Sequence, residues 1–236
     1  MSEKYGIDVS TAQGVIDWDK LAANDDLSFV IIRAAQGLFQ DSRFERNIKE
    51  VLRVGLPFGL YFAASAKTEA DAATEANFAN EYGTIYRPQY GLWYDMELST
   101  QKVLGKTAVS AMLRTWLEHV KASGNRCGIY TNKDWLDNRI DHELLNEYDL
   151  WYAAYPSTAR KALTDAPRDN REKLSYPMSA IWQWSSAGRI DGINGNVDLN
   201  VCYETFTDKG AKDKGYVSVE KAKEILENLG YSGIVL

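Results

Sequence analysis

The stretch "PFGLYFAASAKTEADAATEANFANEYGTIYRPQYGLWYDME", residues 57–97, has two short apolar runs separated by a longer Ala-rich segment. The flanking runs, residues 57–64 and 90–97, have strand length and a strand-like aromatic content. Thr68, followed by acidic residues, is a typical helix start. The stretch therefore predicts a strand, a helix and a second strand, which is the repeating unit of parallel β/α folds.

The same alternation continues through most of the chain. Strand-like runs also occur at residues 5–10, 28–35, 126–132, 150–155, 180–185 and 196–200, and helix-like segments occur at 17–24, 43–55 and 106–124. About eight strands alternating with helices favour a closed barrel over an open sheet. Between residues 132 and 179 the connections look broken or loop-like. The sequence therefore predicts an α/β fold, an irregular TIM-like (β/α) barrel with about eight strands and short later helices.

The C-terminal region differs in composition from the rest of the chain. Residues 207–216, "TDKGAKDKGY", form a charged, Gly-containing stretch that predicts a linker, and an amphipathic helix ending at Gly230 is expected after it. We expect one barrel domain over residues 1–207, and a linker plus a helical segment of unknown role over 208–236. That segment is also a candidate for oligomerisation.

Composition excludes several classes of function. With a net charge of -6, a broad surface for nucleic acid or anionic lipid is not expected. Two cysteines and two histidines leave little material for a metal site or a Ser/His/Asp triad, so we predict no metal and no cofactor. The sequence has neither an apolar run of membrane-span length nor an apolar signal-peptide core at its N-terminus, so we expect synthesis in the cytoplasm.

Asp95 and Glu97 end the second strand of the opening stretch. Residues i and i+2 of a strand point the same way and lie ~6.6 Å apart, so both acids should face the mouth of a barrel. Two carboxyls held together repel, and the one in drier surroundings keeps its proton. A protonated acid beside an ionised one can cleave glycosidic bonds. The alternative is that both acids lie in a solvated loop after the strand.

Two further acids stand alone inside short apolar segments. Asp8 is in the first predicted strand and Asp198 in the last, and a barrel brings these strands side by side. All four carboxyls are therefore expected at one mouth. A turn or helix-cap role for Asp8 and an Asx turn at Asp198 remain open alternatives.

Several dispersed stretches resemble family 25 glycoside hydrolases, the Chalaropsis-type lysozymes of bacteria and phage endolysins. They are "GIDVSTAQGVIDW", "FVIIRAAQG", "DSRFERNI", "GLPFGLYF", "WYDMEL", "GIYTN", "LWYAAY" and "IWQWSSAGRIDGINGNVDLN", spread over residues 5–200. The resemblance implies that residues 1–207 are a catalytic barrel. It also implies cleavage of the β-1,4 bond after N-acetylmuramic acid in bacterial peptidoglycan.

The resemblance also implies roles for individual residues. Glu97 matches the general acid, Asp95 its partner carboxylate, and Asp8 and Asp198 the supporting acids. Substrate-binding positions are matched by Tyr61, Tyr130, Gln183 and Trp184, with Trp151 and Tyr155 as weaker candidates. For Tyr61 and Tyr130, packing inside the barrel is the alternative. The "FAASA" that begins after Tyr61 departs from the family pattern, which leaves the fine substrate preference open.

The resemblance also implies a mechanism and a biological context. Attack by the substrate's own acetamido oxygen is preferred, and direct attack by water remains open. The rival functions are a catalytically silent wall-binding module and a glycosidase acting on chitin-like polymers. The protein is expected to remain in the host cytoplasm until release to the cell wall, as a phage endolysin does, or to be secreted if the sequence is a mature fragment.

Overall fold

The computed structural model describes residues 3–167 and 170–206. Nine strands occur in this part of the chain: β1 (Lys4–Val9), β2 (Phe29–Gln36), β3 (Phe39–Gln40), β4 (Phe58–Ala63), β5 (Leu92–Asp95), β6 (Cys127–Asn132), β7 (Asp149–Ala153), β8 (Ile181–Gly188) and β9 (Val197–Cys202). The predicted linker and C-terminal helix of residues 208–236 lie outside the described residues.

The strands form one sheet in the order β1-β9-β8-β7-β6-β5-β4-β2-β3, and β1 also pairs with β2. This extra pairing closes eight strands into a barrel, with β3 attached outside the ring as the second arm of a hairpin. The predicted irregular (β/α) barrel is confirmed. The hairpin was not expected, because a two-residue strand has no recognisable sequence pattern.

Five α-helices connect the strands of the described chain: α1 (Trp18–Ala22), α2 (Phe44–Val54), α3 (Glu69–Tyr86), α4 (Lys106–Ala122) and α5 (Lys133–Asn138). The predicted start at Thr68 is confirmed, since its side chain accepts a hydrogen bond from the Asp71 N–H and Asp71 accepts one from the Thr68 N–H. Within the described residues, the helices after α4 are α5 and short 3₁₀ turns, as the broken sequence pattern indicates.

The last strand runs against the expected parallel arrangement. β9 is antiparallel to both of its neighbours, β8 and β1. The physical reason is the short connection over residues 189–196, which holds no helix. A parallel crossover needs a dozen or more residues, usually with a helix, so β9 must turn back beside β8.

Two apolar layers hold the barrel together. One fills the interior and includes Phe29, Ile31, Trp93 and Trp151. The other lies between the strands and the surrounding helices. Side chains of a strand alternate between these layers, so neighbouring residues face opposite directions. Within the described residues, no helix combines the length and the apolar character needed to cross a bilayer.

Aromatic rings close the end of the barrel at which the parallel strands begin. Tyr90 stacks on Phe29 with ring centroids 4.3 Å apart, and Phe206 stacks on Tyr90 at 4.9 Å. The guanidinium of Arg126 covers the outer face of Phe206, 3.8 Å from the ring centroid. Because this end is filled, the opposite end, where the parallel strands finish, is where a substrate can enter.

The close approach of β5 and β6 requires a glycine at residue 128. A Cβ built on Gly128 would overlap the indole ring of Trp93 and the carbonyl oxygen of Asp149. We expect Gly128→Ala to lower the free energy of unfolding by about 1–3 kcal/mol through overpacking. Urea unfolding measures this change.

Gly105→Ala is the matched control for this prediction. Gly105 has a φ of -60° and a Cβ there would meet no atom within 4 Å. Its free energy of unfolding should stay within about 0.5 kcal/mol of the unsubstituted protein. Equal stability of the two variants would contradict the role assigned to Gly128.

Candidate active site

The four predicted acids meet at the open end of the barrel. Asp8 is in β1 directly opposite Asp198 in β9, Asp95 is the last residue of β5, and Glu97 follows two residues later. The negative charges of Glu97 and Asp8 both act on Asp95. The fold therefore brings together carboxyls that are far apart in the sequence.

Two amide side chains hold Asp8. Gln183 Nε2 and Asn200 Nδ2 each donate a hydrogen bond of 2.8 Å to Asp8 Oδ2. Asp8, Gln183 and Asn200 are all buried. A carboxylate that accepts two N–H bonds in a dry site is stabilised in its ionised form.

Aromatic donors fix the direction of both amides. Trp151 Nε1 donates to Asn200 Oδ1 at 2.7 Å. The hydroxyls of Tyr130 and Tyr155 donate to Gln183 Oε1 at 2.9 and 2.6 Å. Because both amide oxygens are occupied by donors, the NH₂ groups of Gln183 and Asn200 are the atoms that face Asp8.

Asp8 and Asp198 share a proton. Burial is the largest cause raising the pKa of Asp8 from 3.8 to about 6, against the opposing effect of its hydrogen bonds to Asn200, Gln183 and Asp198. Burial, the charge of Asp8 and the hydrogen bond to Asp8 raise the pKa of Asp198 from 3.8 to about 8. The pair therefore holds one proton at a pH between these two values.

Asp95 is a buried acid of the site with an unpartnered oxygen. Like Asp8 it is buried, at 8% exposed against 4% for Asp8, but its Oδ1 has no hydrogen-bond partner. Burial, followed by the charges of Glu97 and Asp8, raises the pKa of Asp95 well above its usual range, and Arg33 opposes this effect. Arg33 is itself ion-paired with buried Asp41 at 2.6 Å.

Glu97 lies at the edge of the site and is exposed. Partial desolvation raises its pKa, while a hydrogen bond with the side chain of Asn132 lowers it. Beside Glu97 is a pocket of about 500 Å³, lined by Glu97, Asn132, Lys133, Asp134, Tyr152, Ala153, Ala154, Tyr155 and Ser175. The carboxyl thus stands between the buried acids and an open pocket.

Of the predicted aromatic residues, Tyr61 and Tyr130 lie near the acids, whereas Trp184 does not. Tyr61 faces the mouth, where burial and the charges of Asp8 and Asp95 raise the pKa of its hydroxyl. Its ring meets Trp151 edge-on at 5.9 Å, and Tyr130 packs on the same indole at 4.5 Å. Tyr61 and Tyr130 therefore both pack inside the barrel and approach the acids.

The predicted substrate-binding role of Trp184 needs correction. It is 2% exposed and belongs to the apolar layer outside the barrel. Gln183 points inward to Asp8, so the next residue of the strand must point outward. The predicted contact of Trp184 with substrate does not fit this position.

Sequence reasoning missed three polar residues of the site. Asn200 orients Asp8, Asn132 bonds Glu97, and Arg33 acts on Asp95. Each is a polar side chain in an otherwise apolar strand, and that position was the available signal. Tyr155, a weaker candidate from sequence, is bonded to Gln183 and is 45% exposed at the pocket.

Comparison with known proteins identifies the family. The model of the glycosyl hydrolases family 25 matches residues 7–193, which is most of the chain. The chain belongs to glycosyl hydrolase family 25. The predicted family resemblance is confirmed, and the matched region contains Asp8, Asp95 and Glu97.

The chain is similar to a curated lysozyme and to a solved autolysin over most of its length. Lysozyme M1 of Streptomyces globisporus is 26% identical over 205 residues, which are 83% of this chain and 66% of that protein. The modular autolysin LytC of Streptococcus pneumoniae, solved with a synthetic peptidoglycan ligand, is 25% identical with a TM-score of 0.71. This match covers 85% of this chain and 47% of LytC.

A second solved structure matches over nearly its whole length. The catalytic domain of endolysin ply40, from bacteriophage P40 of Listeria monocytogenes, is 25% identical with a TM-score of 0.64. The match covers 87% of this chain and 95% of that domain. The chain therefore spans nearly the whole of that domain, but about half the length of LytC.

The shared proton makes stability depend on pH. The pKa values of Asp8, about 6, and Asp198, about 8, exceed the ordinary 3.8, so the folded state holds protons that the unfolded chain releases. Their stabilising contribution is complete below about pH 4 and is lost as the pH rises to 8. We expect Asp198→Asn to melt higher than the unsubstituted protein at pH 8, by roughly 2–4 °C per kcal/mol gained.

Calorimetry from pH 4 to pH 8 measures this effect. The difference between Asp198→Asn and the unsubstituted protein should shrink toward pH 4, where Asp8 and Asp198 are both protonated. Asp25→Asn is the control, since Asp25 is exposed in the connection before β2, at the other end of the barrel. A melting difference for Asp198→Asn that is the same at every pH would contradict proton sharing.

Proposed function

We propose that this chain is a peptidoglycan hydrolase, an N-acetylmuramidase that cleaves the β-1,4 bond between N-acetylmuramic acid and N-acetylglucosamine. Glu97 is the general acid and base, and Asp95 supports attack by the substrate's acetamido group. Bacterial cell lysis or wall turnover is the biological role. Membership of family 25 and similarity to lysozyme M1 and to the autolysin LytC support this activity.

The observation that carries the mechanism is the free oxygen of Asp95. Oδ1 is buried and unpartnered, in the presence of three other carboxyls. A buried acceptor without a donor is costly, so the site is built to receive an N–H group. An N-acetyl sugar bound at the mouth supplies one through its acetamido nitrogen.

Donation to Asp95 would also move the proton of the acid pair. In the free protein, burial raises the pKa of Asp95 more strongly than that of the exposed Glu97. A substrate N–H bonded to Oδ1 favours the ionised form of Asp95 and lowers its pKa. The proton is then held by Glu97, next to the leaving oxygen, where general acid catalysis needs it.

Bond cleavage then proceeds in two steps. As Glu97 transfers its proton to the glycosidic oxygen, that oxygen leaves the anomeric carbon with the bonding electrons. The acetamido oxygen forms a new bond to that carbon and gives a cationic oxazolinium ion, which ionised Asp95 stabilises through the N–H. Water then attacks the anomeric carbon, Glu97 takes its proton, and the acetamido group is regenerated.

The first test identifies the bond that is cut. Digestion of purified peptidoglycan should release new reducing ends of N-acetylmuramic acid, and Glu97→Gln should abolish this release because no proton reaches the leaving oxygen. Borohydride labelling followed by sugar analysis measures the ends. Glucosamine ends, free peptides, or activity on chitin alone would contradict the proposal, and binding without cleavage would indicate a wall-binding module.

Asp95→Asn tests the partner carboxylate. An amide cannot stabilise the positive charge of the intermediate, so we expect kcat to fall by roughly 10²-fold or more. The melting temperature should not fall, because the amide has nearly the same shape as the carboxyl and Asp95 Oδ1 has no hydrogen bond to lose. Asp25→Asn should keep full activity, and near-normal turnover of Asp95→Asn would refute the role of Asp95.

The anomer formed first separates the two routes of attack. Acetamido participation involves two displacements at the anomeric carbon and gives retention, while direct attack by water gives inversion. We expect the β-anomer of the new muramic acid end before mutarotation. Proton NMR during the first minutes of digestion distinguishes them, and an initial α-anomer would exclude acetamido attack.

A further inference from the structure

An exposed phenylalanine stands beside the mouth of the barrel. Phe39 lies on the hairpin formed by β2 and β3, and it is 84% exposed. The hairpin is anchored, since the Gly37 N–H donates to the Ala63 carbonyl at the end of β4, at 2.8 Å. A whole aromatic ring exposed on an anchored element offers a flat apolar surface to a ligand.

The register of the hairpin fixes the direction of Phe39. Gln40 pairs with Ala35 and points outward, because its side chain bonds Tyr82 of α3 at 2.7 Å. Phe39 pairs with Gln36 and must point to the opposite face, since strand side chains alternate. That face looks over the open end of the barrel, where β2 finishes beside Ala63 of β4.

The hairpin and the pocket stand on opposite sides of the mouth. In the closed ring of eight strands, β2 is four strands from β7 in either direction. The pocket beside Glu97 is lined by the ends of β6 and β7 and by residues after them. A straight line from the pocket to Phe39 therefore crosses the carboxyls.

The proposed chemistry fixes the direction in which a glycan strand lies along this line. This step rests on the proposed function. Glu97 protonates the leaving oxygen and lines the pocket, so the leaving sugar occupies the pocket. The other part of the glycan, toward its non-reducing end, must extend to the opposite side. β3 is three strand spacings from β5, roughly 14 Å, which exceeds the length of two sugar rings.

We propose that Phe39 is a sugar-binding platform for the non-reducing part of the glycan strand, more than two rings from the cleaved bond. The flat ring covers the apolar face of one hexosamine, while the acids act on the sugar at the mouth. Phe39 thus gives preference for long strands over short fragments. It takes no part in bond cleavage.

Phe39→Ala tests this platform. We expect kcat/KM on long glycan strands to fall roughly 3- to 10-fold, mainly through a higher KM. Activity on the peptidoglycan tetrasaccharide, with two sugars on each side of the bond, should be unchanged because it cannot reach Phe39. Equal loss on both substrates, or no loss on either, would overturn the proposal.

Met178→Ala is the matched control. Met178 is a 53% exposed apolar residue just before β8, at the opposite end of the barrel from the mouth. It should leave both activities unchanged. Loss of long-strand activity in this variant as well would show that any exposed apolar residue matters, which would overturn the assignment to Phe39.

Binding separates this inference from the proposed function. In the Glu97→Gln background, titration calorimetry with long glycan strands should show weaker binding when Phe39 is also replaced by Ala. An unsubstituted protein that binds strands through Phe39 without cleaving them would refute the proposed activity and support the platform. Undiminished binding by the double variant, or no strand binding in the Glu97→Gln background, would refute the platform even if the unsubstituted protein cleaves peptidoglycan.

Discussion

Closure of the barrel through β1 is the constraint on which the site depends. β1 pairs in parallel with β2 and antiparallel with β9, so the first and last strands of the barrel become neighbours. This pairing sets Asp8 directly opposite Asp198. Two carboxyls in that register cannot both ionise without strong repulsion, and they therefore share one proton. The chemistry of the mouth begins from this backbone arrangement.

The acids at the mouth lower the stability of the folded state, and packing in the rest of the barrel offsets this loss. Burial raises the pKa values of the four carboxyls, and repulsion adds to this for Asp8, Asp95 and Asp198, which weakens the folded state at neutral pH. Below them the barrel is filled with aromatic rings, and an ion pair joins Arg33 to buried Asp41. Stability thus comes from the filled interior, while the acids serve chemistry.

Sequence patterns predicted the positions of strands and helices better than the directions of the strands and their pairing. Strand and helix positions follow from local composition, as the segment from Thr68 to Tyr86 illustrates. The antiparallel course of β9 depends on the length of a connection and on the closing pair, which no local pattern records. Trp184 was misplaced because family likeness identified the Trp-Gln-Trp segment, whereas alternation decides which of its residues face the site.

The polar residues around Asp8 show a second limit. Asn200 and Gln183 act through amides whose orientation is set by Trp151, Tyr130 and Tyr155. These partners come from β6, from β7 and from the segment just after β7. A single strand sequence cannot reveal such an arrangement, although a lone amide within an apolar run is a useful signal of one.

This arrangement also limits how the site can vary during evolution. Trp151 has only a donor to offer, so Asn200 must present its oxygen to the indole and its NH₂ to Asp8. Loss of the indole N–H would free the amide to rotate and turn a lone pair toward the carboxylate. Lineages of this barrel should therefore exchange Trp151 and Asn200 together or keep both. The two residues form an epistatic pair, with one beneath the mouth and the other beside its acids.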